Sequence, residues 1–328
     1  MLHKIDSMKP IQISLDRLST EPGPFSMSYG FELAPLINSL QNVGLVNSPI
    51  VMEGEGGTIL IITGYRRIAA FRAMGKESIG CRMCIQDMLA PLDALLINFY
   101  DNLATREFNP VEKGMVLRRL ADHLATDQLL DSYMNLLGLS QRRATLENYI
   151  SFDRDLDESL KQALAGGTIS ESTATALLAL PEENKNAVAA LLSKVMFNMN
   201  QQKQLIELLI DNSRIAGISI TEMIRTKPFL DILASSFMNR PQKARAFLAL
   251  LRCRRFPRLS RAEEMFKKRV AKLQLPHEVR IQAPPYFESE YYRMEISFRN
   301  GQELKDMIDQ LGNIEGLREI QDPWVGTD

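Results

Sequence analysis

The stretch ITGYRRIAAFRAMG, residues 62–75, decides how the first part of this chain is read. It runs from a strand end through a glycine turn into a helix of small and apolar residues that Gly75 closes. A glycine turn leading from strand into helix leaves backbone N–H groups unpaired and facing outward. Arg66 and Arg67 fall in that first turn, where the helix dipole favours acidic side chains. A bound anion resolves the conflict, and phosphate is the obvious one. The alternative is two solvated arginines paired with surface carboxylates.

Working outward, Leu33, Leu36, Ile37 and Leu40 recur at helical spacing, with Gly44 placed just after the helix. Residues 48–52 and 58–62 are short β-type runs joined by the turn-like EGEGG, and 79–85 is a further strand. Residues 10–85 therefore predict a small α/β unit. Cys81 and Cys84 form a lone C-x-x-C within a strand pattern, without the second pair or nearby histidine of a zinc site, and read as core cysteines.

From residue 88 the pattern turns helical. Leu92, Leu95, Leu96, Phe99 and Leu103 form one apolar face, followed by Asn109 as an N-cap with Pro110 at the first helical position and Glu112 three residues on. Further helix starts are expected at Asp155, Ser170, Ser219 and Ser260. Within SYMNLLGLSQRRATLENYI, residues 132–150, a helix, a tight turn at residues 137–140 and a second helix capped by Ser140 have the organisation of a helix-turn-helix. Gln141, Arg142 and Arg143 fall at the N-terminal end of the second helix, with Thr145 and Asn148 on the same side. Arginine reads guanine, and glutamine or asparagine reads adenine, through bidentate pairs in the major groove. A plain helical hairpin with solvated arginines is the alternative.

A formal net charge of −1 conceals an asymmetry. Residues 240–275 carry twelve Lys and Arg against two Asp and Glu; residues 276–328 carry five against eleven. Such a basic segment repels itself unless a polyanion or an acidic surface offsets it. Two readings follow: a sequence-independent contact with DNA phosphates, to which Arg254, Arg255 and Arg258 would contribute, or pairing within the chain, with the acidic tail or by solvation. Beyond Pro276, residues 278–283 and 291–298 predict strands, 301–311 a helix and 317–320 a last strand, with a linker-like APPYF between the first two. The alternating run 291–298 could pair across a two-fold axis or cap its own chain. No apolar run approaches the about 18 residues of a membrane span. The first ten residues have no apolar h-region, and three cysteines give no disulfide framework, so a cytoplasmic location is expected.

Three segments together resemble one family. ITGYRRIAAFRAMG is similar to the arginine box of ParB proteins, a Gly-Glu-Arg-Arg motif running into a helix of small residues. ELAPLINSLQNVGLVNSPIVM, residues 32–52, resembles the helix-then-strand segment upstream of that box, and DNLATREFNPVEKG, residues 101–114, resembles the family's second box. Residues 156–184 resemble the helices that support the helix-turn-helix. Order and spacing agree across residues 10–195. Departures are Tyr65 in place of the glutamate of the first box, Ala69 in place of a further arginine, the altered ATRE spacing, and PGPFSMSY at residues 22–29 where the family has a Gln-Pro-Arg segment.

The resemblance implies a ParB/sulfiredoxin-like fold for the N-terminal domain and binding of CTP with Mg2+. Gly64, Arg66 and Arg67 would cradle phosphates, Asn102 would sit near the metal or triphosphate, and Arg106 and Glu107 would belong to the second box. Weak CTP hydrolysis lacks an obvious carboxylate to position water, because Tyr65 occupies its place. Sulfiredoxin chemistry is discarded for want of a cysteine at the turn. The expected architecture is α+β and multidomain: a small α/β domain over 1–88, a mostly helical domain over 89–198 with the helix-turn-helix, a helical connector over 199–275 with its basic segment at 240–272, and a small α+β domain over 276–328. The function implied is a nucleoid-associated, DNA-binding clamp in chromosome or plasmid partition or in gene regulation, acting on double-stranded DNA as a homodimer, with a ParA-like ATPase as partner and no membrane. Two alternatives remain: a static helix-turn-helix transcription regulator without nucleotide, and a metal-dependent nuclease drawing on Asp101, Glu107 and Glu112.

Overall fold

Alternating isoleucines build the sheet of the first unit. In the computed structural model, which describes residues 8–84 and 89–320, the chain divides into two compact units, Met1–Ala189 and Ala190–Asp328. Strands β1 (Lys9–Ser14), β2 (Ile50–Glu53), β3 (Ile59–Thr63) and β4 (Ser78–Cys84) form one mixed sheet in the order β1-β4-β2-β3. β1 runs antiparallel to β4 with Ile13 opposite Ile79, β2 runs parallel to β4, and β2 pairs antiparallel with β3. Ile13, Val51, Ile59, Ile61, Ile79 and Cys81 make one apolar cluster with Ile68 from the helix after the glycine turn. Period-two side-chain alternation places these residues on one face. Cys81 and Cys84 are both buried, and burial pushes the Cys81 thiol up to about 11. Sequence reading placed three of these strands and missed β1, whose KPIQIS is exposed along most of its length. The last residue of the expected 79–85 strand, Ile85, lies outside the described residues.

Helix α1 (Ala34–Val43) ends at Gly44, whose φ of 74° is the left-handed stop that the sequence predicted. Helix α2 (Tyr65–Ala73) starts at Gly64, which has φ 83°. A Cβ there would lie 2.8 Å from the Pro49 side chain and 2.9 Å from its backbone, so both conformation and space demand glycine.

The rest of this unit is helical: α3 (Pro91–Leu103), α4 (Pro110–Ala121), α5 over 126–136 with a π turn at Leu129–Tyr133, α6 (Arg143–Arg154), α7 (Glu158–Ala165), α8 (Glu171–Leu178) and α9 (Glu182–Lys194). On α3 the most deeply buried residues are Ala94, Leu95, Ile97, Asn98 and Phe99, so the apolar face predicted through Leu92, Leu96 and Leu103 is rotated toward the sheet side. The capping box at Asn109 is formed as predicted, and Ser170 caps α8. Asp155 does not start a helix. It ends α6, and Asp157 caps α7 by accepting the Leu160 N–H at 3.0 Å. α4 and α6 cross at Gly114, where a Cβ would collide with the Tyr149 carbonyl oxygen.

In the second unit, α10 (Met199–Ala216), α11 (Ile220–Ile224), α12 (Lys227–Ala234), α13 (Arg240–Arg255) and α14 (Pro257–Lys272) precede a β5–β6 hairpin (Val279–Gln282, Arg293–Ile296) and α15 (Gly301–Gly312). Ser219 caps α11 through a full capping box with Glu222. Ser260 caps nothing, because Pro257 at the first helical position already starts α14 three residues earlier. Residues 317–320 are not a strand: Leu317–Glu319 is a 3-10 turn. Nor is APPYF a linker. Phe287 is buried against Leu259 and Ala262, and Pro285–Phe287 forms a tight turn with Tyr286 and Phe287 at positive φ.

Candidate functional site

The glycine turn at Gly64 sets Arg66 and Arg67 on the exposed shoulder of α2, and the α3–α4 junction brings Arg106 to the same place. Between them lies Glu112, 1% exposed. Its Oε1 accepts from Arg66 Nη2 at 2.6 Å and from the Tyr29 N–H at 3.0 Å; its Oε2 accepts from Arg106 Nη1 at 2.5 Å and from the Asn109 N–H at 3.1 Å. Four donors therefore converge on one buried carboxylate, the arrangement a buried charge requires. Sequence reading gave Glu112 only a capping role or a nuclease ligand's. The capping is real, and Arg66 and Arg106 also saturate both oxygens, so Arg66 pairs with a buried carboxylate, whereas Arg67 lies beside the surface carboxylate of Asp101, as the alternative reading expected.

Arg106 is held further by Asn102, whose Oδ1 accepts from Nε at 2.8 Å, and by the Met27 carbonyl at 2.8 Å. Asn102 Nδ2 donates to the Asn98 carbonyl and to its Oδ1, and buried Asn98 donates to the Ile62 carbonyl at the end of β3. The 98, 102, 106 spacing sets one polar residue on each successive turn of α3 and its extension. Through it the sheet is tied to the arginine cluster. Burial holds the Arg106 guanidinium below its ordinary pKa, Glu112 opposes that shift, and the nearby Arg66 charge adds to it. Arg67 donates to the Asn47 carbonyl at 2.8 Å and lies 3.6 Å from Asp101. Gly64, Arg66, Arg67, Asn102 and Arg106 thus come together. Glu107 is exposed and makes no ion pair with the cluster, but it lines a cavity of about 350 Å³ together with Arg106, Phe108, Lys113 and Gly138.

The segment PGPFSMSY, identified only as a departure from the family, covers this cluster. Phe25 and Met27 are buried, Ser28 Oγ receives Arg66 and Arg106 at 3.4 Å, and Arg119 donates to the Ser26 and Gly23 carbonyls. Tyr29 is held by Glu112, by Asn109 Nδ2 at 2.9 Å on its carbonyl, and by Glu158 Oε1 on α7 at 2.8 Å. Phe31 lies under Arg66, 4.6 Å from its guanidinium carbon, and meets Tyr65 edge-on. Tyr29, Phe31 and Asn98 were missed. Asn98 was discoverable from its four-residue spacing to Asn102; Tyr29 and Phe31 were not, because only the folded chain returns them to the box.

The helix-turn-helix is formed by α5, the Gly138 turn with φ 69°, and α6. α6 starts at Arg143 with Arg142 in the cap position, so Ser140 does not cap it; the Ser140 hydroxyl instead bonds Thr145 Oγ1 at 2.8 Å. The residue count explains the shift, since Ser140 lies too far before the first helical N–H groups to reach them. Gln141, Arg142 and Arg143 are exposed, Thr145 and Asn148 half-buried, and Gln141 Nε2 contacts the Asp131 carbonyl at 3.3 Å. The opposite face of α6 is fixed by buried Leu146, Tyr149 and Phe152, with Arg118 paired to Asp153 at 2.5 Å.

In the second unit the basic segment is partly neutralised by its own helices. Arg252 pairs with Glu263, Arg255 with Asp211 at 3.0 Å and Lys268 with Glu264. Arg254 lies 4.7 Å from the centre of the Phe229 ring. Arg258 is exposed on the first turn of α14, and exposed Arg261 and Lys272 follow along that helix. Among the described residues no group of three or more His, Cys, Asp or Glu is placed to hold a metal ion, and no helix is long and apolar enough to cross a membrane.

No protein-family model matches the chain. A Campylobacter jejuni protein described as "Probable chromosome-partitioning protein ParB" is 22% identical over 224 residues, covering 67% of this chain and 76% of that one. A Chlamydia trachomatis protein of the same description is 27% identical over 157 residues, so this chain spans about half of its length, 53%. Among solved structures, C-terminally truncated chromosome-partitioning protein ParB from Caulobacter crescentus complexed with CTP-gamma-S is similar at 18% identity and a TM-score of 0.26, over 56% of this chain and 99% of that one. Several such relatives, together with the two arginine-bearing boxes in order, support a ParB-like family for this chain.

Proposed function

We propose that this protein is a DNA-binding partition protein of the ParB type whose first domain takes a nucleoside triphosphate at the arginine cluster. The observation that carries the reading is the meeting of Arg66, Arg67 and Arg106 around the glycine turn at Gly64, on a unit that also presents the exposed Gln141, Arg142 and Arg143 of a helix-turn-helix. Three guanidinium groups face two carboxylates, Glu112 and Asp101, which leaves positive charge for phosphate oxygens. CTP is the nucleotide that the family resemblance favours. A divalent ion would come with the triphosphate: Glu112 is saturated by four donors, and Asp101, 3.6 Å from Arg67, would have to exchange that contact to reach the ion. Hydrolysis has no water-positioning carboxylate at Tyr65, so binding rather than turnover is the expected activity.

Double-stranded DNA would be read by α6 in the major groove, with phosphate contacts added by the exposed cations of α14. A homodimer would form through the exposed outer edge of β6, and a partition role predicts a ParA-like ATPase as partner. The test is calorimetric titration with CTP and Mg2+, wild type against Arg66→Ala, with UTP, GTP and ATP as controls. CTP-selective binding lost in the variant supports the reading; absence of binding to any nucleotide, both by the wild type and by a chain freed of the Glu112 charge, overturns it. A static regulator is the second reading, favoured by the fact that Glu112 already occupies two of the arginines. The nuclease alternative is weakened because Glu112 is saturated by Arg66 and Arg106 and Asp101 lies 3.6 Å from Arg67, which leaves Glu107 as its one carboxylate without an arginine ion pair among the described residues.

A further inference from the structure

The arginine box holds an anion that belongs to the protein itself. Glu112 takes Arg66 and Arg106 with one oxygen each, as a phosphate group would, and is 1% exposed. The same two arginines also hold the covering segment: Arg106 donates to the Met27 carbonyl, and both reach Ser28 Oγ. Glu112 in turn accepts the Tyr29 N–H, and Asn109, its capping partner, donates to the Tyr29 carbonyl. The Tyr29 hydroxyl carries the connection to Glu158 on α7, beside the helices that support α6. Residues 28–31 are therefore fastened by groups that a phosphate would engage, whereas Phe25 is fastened by burial and Met27 by burial as well as by Arg106.

We propose that Glu112 and residues 28–31 form an internal latch on the arginine box, opened when a polyphosphate displaces Glu112 from Arg66 and Arg106. The proposal rests on the phosphate-binding reading above and adds its regulation. Two further observations favour it. Arg66 is the reachable member, with 27% of its side chain exposed, so an incoming anion meets it first. Its ring partner Phe31 sits in the segment itself, so moving Arg66 removes a contact of residues 28–31 as well. A site whose competent state is only partly populated binds more weakly in proportion to that population. Glu112 therefore sets both the affinity of the box and the attachment of the segment to α4 and α7.

The test uses the full chain and inorganic tripolyphosphate alongside CTP with Mg2+, with amide hydrogen exchange read at residues 28–31. Ligand should speed exchange there while the β3 and β4 amides are unchanged. Glu112→Gln, which removes the competing charge, should raise tripolyphosphate affinity about tenfold and speed exchange without ligand. Tyr29→Phe, which cuts only the Glu158 tether, is the milder variant should Glu112→Gln fold poorly; it should move both readouts in the same direction by a smaller factor. Binding by either variant where the wild type shows none also supports the latch. Binding by the wild type with exchange at 28–31 unchanged overturns the latch and leaves the phosphate reading intact. If neither the wild type nor either variant binds, both fall together.

Discussion

Arg106 Nη1 and Glu112 Oε2 meet at 2.5 Å across the start of α4, with the carboxylate 1% and the arginine side chain 16% exposed. Removing one partner of a buried, hydrogen-bonded pair leaves an uncompensated charge, which costs about 3–5 kcal/mol. Glu112→Ala should lose that much stability by urea denaturation. Arg66→Ala, which deletes the more exposed partner and leaves Arg106 in place, should lose less than half as much. Equal losses would show that the two arginines do not share the carboxylate unequally, as their burial implies.

The crossing of α4 and α6 makes a second, steric prediction. A methyl group on Gly114 would run into the Tyr149 backbone, which cannot yield without moving α6. Gly114→Ala should cost about 1–3 kcal/mol, the range for an overpacked contact, and should weaken specific DNA binding more than its stability loss explains. Thermal unfolding and a DNA titration on the same preparation check it. An unchanged melting temperature would mean that the helices are farther apart than described.

Much of this was legible beforehand. The caps at Asn109, Ser170 and Ser219, the stops at Gly44 and Gly75, and three of four strands follow from local chemistry that a single chain displays. The failures share a cause. Asp155 and Ser260 carry a glutamate three residues on, but Asp157 and Pro257 are better starts nearby, and a pattern search does not rank rivals. β1 has one buried side chain, so alternation gave no signal, and its strand state comes from pairing with β4. At the site, Gly64, Arg66 and Arg67 were visible as a turn with misplaced charge. Glu112 as the partner of Arg66 was not, since only tertiary structure brings positions 46 residues apart to 2.6 Å.

Tyr149 predicts an alkaline signature. Burial raises its phenol pKa above the ordinary value of 10.0, and the hydrogen bond to Glu171 adds to the shift. The protonated form is therefore favoured in the folded state. Its contribution is fully present below pH 10 and is lost as pH rises through the folded value, because the unfolded chain releases its proton first. Tyr149→Phe should cost about 1 kcal/mol at pH 7, the net worth of one hydrogen bond, and should flatten the decline in stability above pH 10. A decline as steep as in the wild type would assign it to other groups.

Arg143 separates recognition from stability. It pairs with Glu147 at 3.2 Å, but the two side chains are 75% and 67% exposed, and solvent screens such a pair. Arg143→Ala should leave stability within about 0.5 kcal/mol of wild type. If Arg143 reads a base, specific binding falls by about 1–3 kcal/mol while binding to unrelated DNA falls less. An equal fall on both DNAs would instead make it a phosphate contact.

The basic connector gives the last prediction, because the structure divides its cations by what they already do. Arg254 is stacked on Phe229 and Arg255 is paired with Asp211, so charge reversal there breaks contacts within the unit whether or not DNA is involved. Arg261 and Lys272 are exposed on α14 and make no ion pair with a described residue. The informative variant is therefore Arg261→Glu with Lys272→Glu, with Arg255→Glu as the structural control. The double variant should keep the wild-type melting temperature, weaken binding to DNA of any sequence, and shallow the slope of log affinity against log salt by about 2, one counterion for each lost phosphate contact. Arg255→Glu should lower the melting temperature. A double variant with an unchanged salt slope would remove α14 from the DNA interface and leave the helix-turn-helix to carry binding alone.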